Sequence, residues 1–147
     1  RWLEEIHVGM TGGEMFDKVE EILPRATYGW SLCPGHLVAE EEWLSSPIYE
    51  HSTEVLRSGM MLQIDIIPSV LGYGGSCAES TVVLADETLK AQIRQQYPEM
   101  WQRMQVRRQY IIQQLGIQLS EDVLPMCGTV AYLRPYLLDK DLAFVSR

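Results

Sequence analysis

Two apolar runs of strand length, Met60-Met-Leu-Gln-Ile-Asp-Ile-Ile67 and Cys77 to Ala85, lie on either side of Gly72-Tyr-Gly-Gly75. Apolar and β-branched stretches flanking a glycine-rich turn predict a hairpin. Each run contains one acid, Asp65 in the first and Glu79 in the second. A carboxylate inside an apolar strand is costly unless it is paired, hydrogen-bonded or bound to a cation. Pairing of the two strands lets both acids point to the same face near one point, so the hairpin predicts both an architecture and a candidate site.

The remaining pattern places elements around that hairpin. Trp2, Leu3 and Ile6 begin a helical pattern, and Thr11-Gly-Gly-Glu14 supplies a capping box before Met15, Phe16, Val19, Ile22 and Leu23, with Pro24 closing the unit. Pro34-Gly35 suits a turn feeding a strand that begins near His36, which sets this imidazole at a strand edge. A polar loop runs from Ser45 to Gly59. Asp86 can cap a helix holding Leu89 and Ile93, and Pro98 suits the first position of another, with Trp101, Met104, Ile111, Ile112 and Leu115 at helical spacing and Gly116 at its end. These two helices are expected to cover one face of the sheet. Val123 to Leu138 is apolar and proline-punctuated without a clear period, and reads only as a packed terminal segment. The class is α+β. A chain of 147 residues that is 46% hydrophobic can bury one core, so residues 1–147 are expected to form a single domain.

Charge and cysteine usage exclude several partners. The formal net charge is −8, which leaves no surface able to neutralise a phosphate backbone, so nucleic acid is not expected as a partner. The densest basic stretch, Arg103, Arg107 and Arg108, lies in a glutamine-rich helical pattern and reads as a solvated face. Cys33, Cys77 and Cys127 are odd in number and widely spaced, which fits neither a disulfide framework nor a paired metal clip and suggests a reducing, cytoplasmic compartment. The longest apolar candidate for a membrane span, Met60 to Leu71, is broken by Asp65 and Pro68, so no membrane association is expected. The chain starts at Arg1 inside an amphipathic pattern and without a methionine, as expected of a fragment.

Asp65 and Glu79, joined by the strand-edge imidazole of His36, would make an oxygen-rich site with one nitrogen. Such a set suits a divalent ion such as manganese, cobalt, zinc or iron. The same residues can also be unconnected, with Asp65 facing solvent from an edge strand, Glu79 in a surface salt bridge and His36 in a hydrogen-bonded turn. His7 and His51 read as structural or solvated. Glu40-Glu41-Glu42 reads as a charged edge, because the side chains of an extended segment alternate and cannot converge. Gly72 to Gly75 is a turn and not a phosphate loop, since no helix start with lysine and a hydroxyl residue follows it.

In order along the chain, Gly29-Trp-Ser-Leu-Cys-Pro-Gly-His36, Glu42-Trp-Leu-Ser-Ser-Pro-Ile-Tyr49 and Ser58-Gly-Met-Met-Leu-Gln-Ile-Asp-Ile-Ile-Pro68 resemble the C-terminal catalytic domain of pita-bread metallohydrolases, the family of aminopeptidase P, prolidase and creatinase. The resemblance runs from about Trp2 to Leu138. It implies the C-terminal portion of a pita-bread fold, with helices on one side of a curved, mostly antiparallel sheet, and a homodimer at full length. It also implies two divalent metal ions in the complete enzyme, with His36, Asp65 and Glu79 as three of their ligands. By the same resemblance Asp65 doubles as the general base that takes the proton of an attacking water, and the substrate is a small peptide or amide.

Three positions depart from the family pattern. Its paired aspartate ligands have no match here and are expected upstream of Arg1. Asp65 stands where the family usually has a glutamate. Trp43 replaces a second histidine that stabilises the tetrahedral intermediate. Two functions follow as expectations: a metal-dependent hydrolase of the Xaa-Pro peptidase type, inactive as this fragment, or a non-catalytic pita-bread binding or scaffold module that has lost its metal.

Overall fold

The computed structural model describes residues 1–38, 44–74, 78–127 and 142. Expectations resting on Glu40, Glu41, Glu42, Trp43 and Cys77, and on the terminal segment past Cys127, fall outside those residues.

The hairpin forms as its composition predicts. Strand β2, Met61–Ile66, pairs antiparallel with β3, Ala78–Leu84, from Met61 opposite Val83 to Ile66 opposite Ala78. The two-residue β1, His36–Leu37, adds to the outer edge of β2, and β4, Val123–Pro125, adds to β3, giving a four-stranded antiparallel sheet in the order β1-β2-β3-β4. The part of the tail that reads as irregular is therefore an edge strand. Its three residues are too few to show a period of two, and it ends in a proline, a residue that sheets tolerate at edges.

Alternation along the strands gives the sheet two faces. Leu62, Ile64, Val82, Leu84 and Val123 join a core with Trp2, Leu3, Met15, Phe16 and Val19. Most of those partners lie on helices α1, Trp2–Glu5, and α2, Gly12–Ile22. Val83 and Leu124, on the opposite face, pack with Ile93 and Met104. These belong to α4, Glu87–Gln96, and α5, Pro98–Gln113. Helices thus lie on both faces, contrary to the one-sided arrangement expected. One reason is α5, which places Met104 in the second cluster while Ile111 reaches the first.

Local chemistry fixes the ends of these elements. The Thr11 hydroxyl accepts from the Glu14 amide while the Glu14 carboxylate accepts from the Thr11 amide, closing the capping box of α2. Asp86 accepts from the Leu89 amide at the start of α4. A short helix, α3, Arg25–Tyr28, follows Pro24 and ends at Gly29 in the left-handed conformation, where a Cβ would approach the Ser69 carbonyl. Arg25 pairs with Glu20 and stacks over the Phe16 and Trp30 rings. Arg107 and Arg108 do not form a solvated face. Arg107 donates to the carbonyls of Pro125 and Met126, and Arg108 to those of Ser120 and Val123. They bind the backbone of β4 to α5, and burial pushes the Arg108 guanidinium below its ordinary pKa. Among the described residues no helix is long and apolar enough to cross a membrane.

Candidate functional site

Register places the predicted residues on one face at one end of the sheet. Asp65 lies opposite Glu79, and His36 opposite Gln63, two residues before Asp65 on β2. Direct partners in an antiparallel pair share a face, so His36, Asp65 and Glu79 all belong to the face that carries Val83 and Leu124 at its other end.

Their surroundings differ sharply. His36 is fully buried and Asp65 is 4% exposed, whereas Glu79 is exposed. The solvated reading of Asp65 is excluded, because it sits buried on a central strand. The anomaly at Glu79 disappears, because its carboxylate has access to water although the strand around it is apolar. Hydrophobicity along β3 gives no sign of this, since cover over one end of a sheet face is a tertiary property. His7 and His51 are both exposed, as expected of solvated residues.

The His36 imidazole contacts the Leu37 carbonyl through Nδ1 at 3.0 Å. A carbonyl only accepts, so this hydrogen bond puts a proton on Nδ1, and in the neutral imidazole Nε2 is then the lone-pair nitrogen. Nε2 faces Asp65 Oδ2 at 3.7 Å. Among the described residues neither His36 Nε2 nor Asp65 Oδ1 has a hydrogen-bond partner, and both atoms are buried. With His36 neutral the two facing atoms are both acceptors, and with His36 protonated they form an ion pair.

A histidine nitrogen and a carboxylate oxygen are donor types that hold divalent ions. Glu79 lies directly across from Asp65 in the register. As the side chains stand, no group of three His, Cys, Asp or Glu able to hold a metal is present among the described residues. Two of the three predicted residues, His36 and Asp65, lie buried side by side, and the third, Glu79, is adjacent in register but exposed.

No family model and no curated protein matches the chain. Among solved structures it is similar to a dipeptidase from Pyrococcus horikoshii OT3, with 22% sequence identity and a TM-score of 0.44 over 56% of this chain and 24% of that one. The chain thus spans about a quarter of that dipeptidase's length.

Proposed function

We propose that this chain belongs to a metal-dependent hydrolase of the Xaa-Pro peptidase type, acting on small peptides or amides, and that His36 and Asp65 are ligands to a divalent ion which Glu79 joins. Within this reading the four-stranded sheet is the C-terminal portion of a pita-bread fold. The observation that carries the proposal is the buried pair His36 Nε2 and Asp65 Oδ2, facing each other at 3.7 Å on the hairpin face that also presents Glu79. His36, Asp65 and Glu79 would hold a divalent ion there, which would supply a water of lowered pKa and a Lewis acid for an amide carbonyl. Asp65 would take the proton of an attacking water, the role that the resemblance implies for it. His36, with a proton on Nδ1, would in its neutral form present the Nε2 lone pair to the ion. A second ion needs carboxylates beyond these.

A second reading, a binding or scaffold module without metal, is favoured by two observations. Glu79 is turned to solvent. His36 and Asp65 are buried, out of reach of an amide substrate in this arrangement. Metal analysis after equilibrium dialysis against manganese, zinc or cobalt separates the two. The hydrolase reading expects a bound ion that is lost in His36→Ala and in Asp65→Asn and kept in His51→Ala. Full-length protein without bound metal at neutral pH overturns it and leaves the scaffold reading standing.

A further inference from the structure

His36 sits on a strand of only two residues, paired with β2 through His36 opposite Gln63 and Leu37 opposite Leu62. So short a pairing does not by itself fix a side chain. Yet both peptide planes flanking His36 are held by consecutive residues of one loop. Before it, the Gly35 carbonyl accepts from the Ser46 hydroxyl at 2.6 Å. After it, the Leu37 amide donates to the Ser45 carbonyl at 3.0 Å. The Ser46 hydroxyl is itself oriented, because its oxygen accepts from the Ile48 amide at 3.0 Å. One residue further back, the Trp2 indole N–H donates to the Pro34 carbonyl at 2.8 Å. Gly35 fits between these anchors because a Cβ there would lie 3.0 Å from the Trp2 ring, 3.2 Å from the Gln63 carbonyl and 3.3 Å from the Ile48 side chain.

We infer that Ser46 is a positioning residue for His36: the clamp formed by Ser45 and Ser46 fixes the two peptide planes on either side of His36, and with them the backbone from which the imidazole projects. The Leu37 carbonyl that Nδ1 contacts lies in the next plane, held by the Val38 amide donating to the Met61 carbonyl at 3.0 Å. A hydrogen bond at the far nitrogen that sets tautomer and ring orientation is the usual outer support of a histidine ligand. Here the acceptor is the neighbouring Leu37 carbonyl, which β2 holds through the Val38 amide, and the loop's task is to keep the His36 backbone aligned with it. Removing the Ser46 hydroxyl releases the Gly35–His36 plane and lets the imidazole turn.

The clamp's importance for metal rests on reading His36 as a ligand, whereas its effect on the ring does not, so two measurements are paired. Ser46→Thr keeps the hydroxyl, and Ser46→Val has nearly the volume of threonine without it. In nitrogen-15 spectra of the metal-free wild type, His36 should show one protonated ring nitrogen, Nδ1, and one bare nitrogen, Nε2. Ser46→Thr should retain that signature and Ser46→Val should show averaging between tautomers. Zinc affinity, titrated with the metal alone, should fall about 10–100-fold in Ser46→Val and recover in Ser46→Thr. A Ser46→Val protein that keeps both the wild-type signature and the wild-type zinc affinity overturns the proposal. A wild type that binds no zinc sinks the metal reading, while the spectra still decide the clamp. If Ser46→Val does not fold, Ser46→Ala takes its place, and a wild-type spectrum with the proton on Nε2 is by itself enough to overturn the inference.

Discussion

Replacing Asp65 by asparagine should raise the stability of the metal-free protein and abolish its response to divalent ions. The side chain is 4% exposed, its Oδ1 lacks a hydrogen-bond partner among the described residues, and its Oδ2 faces the lone pair of His36 Nε2 at 3.7 Å. Asparagine has nearly the same shape, carries no charge, and can turn its NH2 towards Nε2, converting a contact between two acceptors into a hydrogen bond. Relief of an unsatisfied buried polar group is worth about 1–3 kcal/mol, and the bond gained about 1 kcal/mol. Allowing for imperfect geometry at 3.7 Å, a net gain of about 1–3 kcal/mol is expected, which for a chain of this size raises Tm by roughly 3–10 °C. With a divalent ion at about a hundred times its dissociation constant, the wild type should gain about 2.7 kcal/mol, and Asp65→Asn nothing. Thermal melts in chelator and in excess manganese or zinc, near neutral pH, test both halves. If Asp65→Asn is instead less stable than the wild type in chelator by several kcal/mol, the two side chains form an ion pair, since losing one partner of a buried pair costs about 3–5 kcal/mol. That outcome would refute the facing-acceptor argument.

Three further substitutions probe the frame that holds the site. At Gly12 an added Cβ would lie 1.8 Å from the Pro47 carbonyl oxygen. Gly12→Ala should therefore cost about 3 kcal/mol by forcing apart α2 and the loop that leads from Ser46, and an unchanged urea midpoint would show that the contact yields freely. The Thr11 amide, and after it the Thr11 hydroxyl, hold the Glu14 carboxyl below its ordinary pKa of 4.5. A lowered folded-state pKa stabilises the protein above the ordinary value, and the benefit is lost as pH falls through the folded value. The lead of the wild type over Glu14→Gln should thus be full near neutral pH and shrink on acidification below about 4.5; a lead independent of pH contradicts it. Arg108→Met keeps the side chain's bulk but removes the donors to the Ser120 and Val123 carbonyls. A loss of about 1–3 kcal/mol is expected, with faster amide exchange along β4, and unchanged exchange at Val123 and Leu124 would count against the role given to the arginine.

Where a pattern was local, the sequence disclosed it. The hairpin is written into residues 60–85, and its register, with Asp65 opposite Glu79, is symmetric about Gly72 in the turn. Thr11, Asp86 and Pro98 mark helix starts because capping chemistry acts over three or four residues. What stayed hidden depends on contacts between distant parts of the chain. Three residues of β4 acquire strand geometry only by pairing with β3, and Arg107 and Arg108, adjacent on one helix, acquire roles from carbonyls 12 to 19 residues away. Neither the exposure of Glu79 nor the bond from Ser46 to Gly35 leaves a local trace. The resemblance grouped His36, Asp65 and Glu79, and the structure buries the first two side by side while leaving Glu79 exposed.

That separation bears on the choice between hydrolase and scaffold. Folding gains apolar burial around the hairpin regardless of what occupies position 65, and a neutral isostere there would spare the protein a buried charge. A module with no use for an ion thus carries in Asp65 a cost that brings no return. On the proposed reading the same residue is intelligible, because with His36 neutral the two facing acceptors that would oppose each other without a cation would both bind one. Stability and binding should therefore move in opposite directions when Asp65 is neutralised. They should move together when Ser46 is changed, since the clamp supports the fold and the imidazole alike. Observing both trends in one set of melts, with and without metal, distinguishes a ligand site from a buried polar accident, which would show neither the inversion at Asp65 nor the loss of zinc affinity at Ser46.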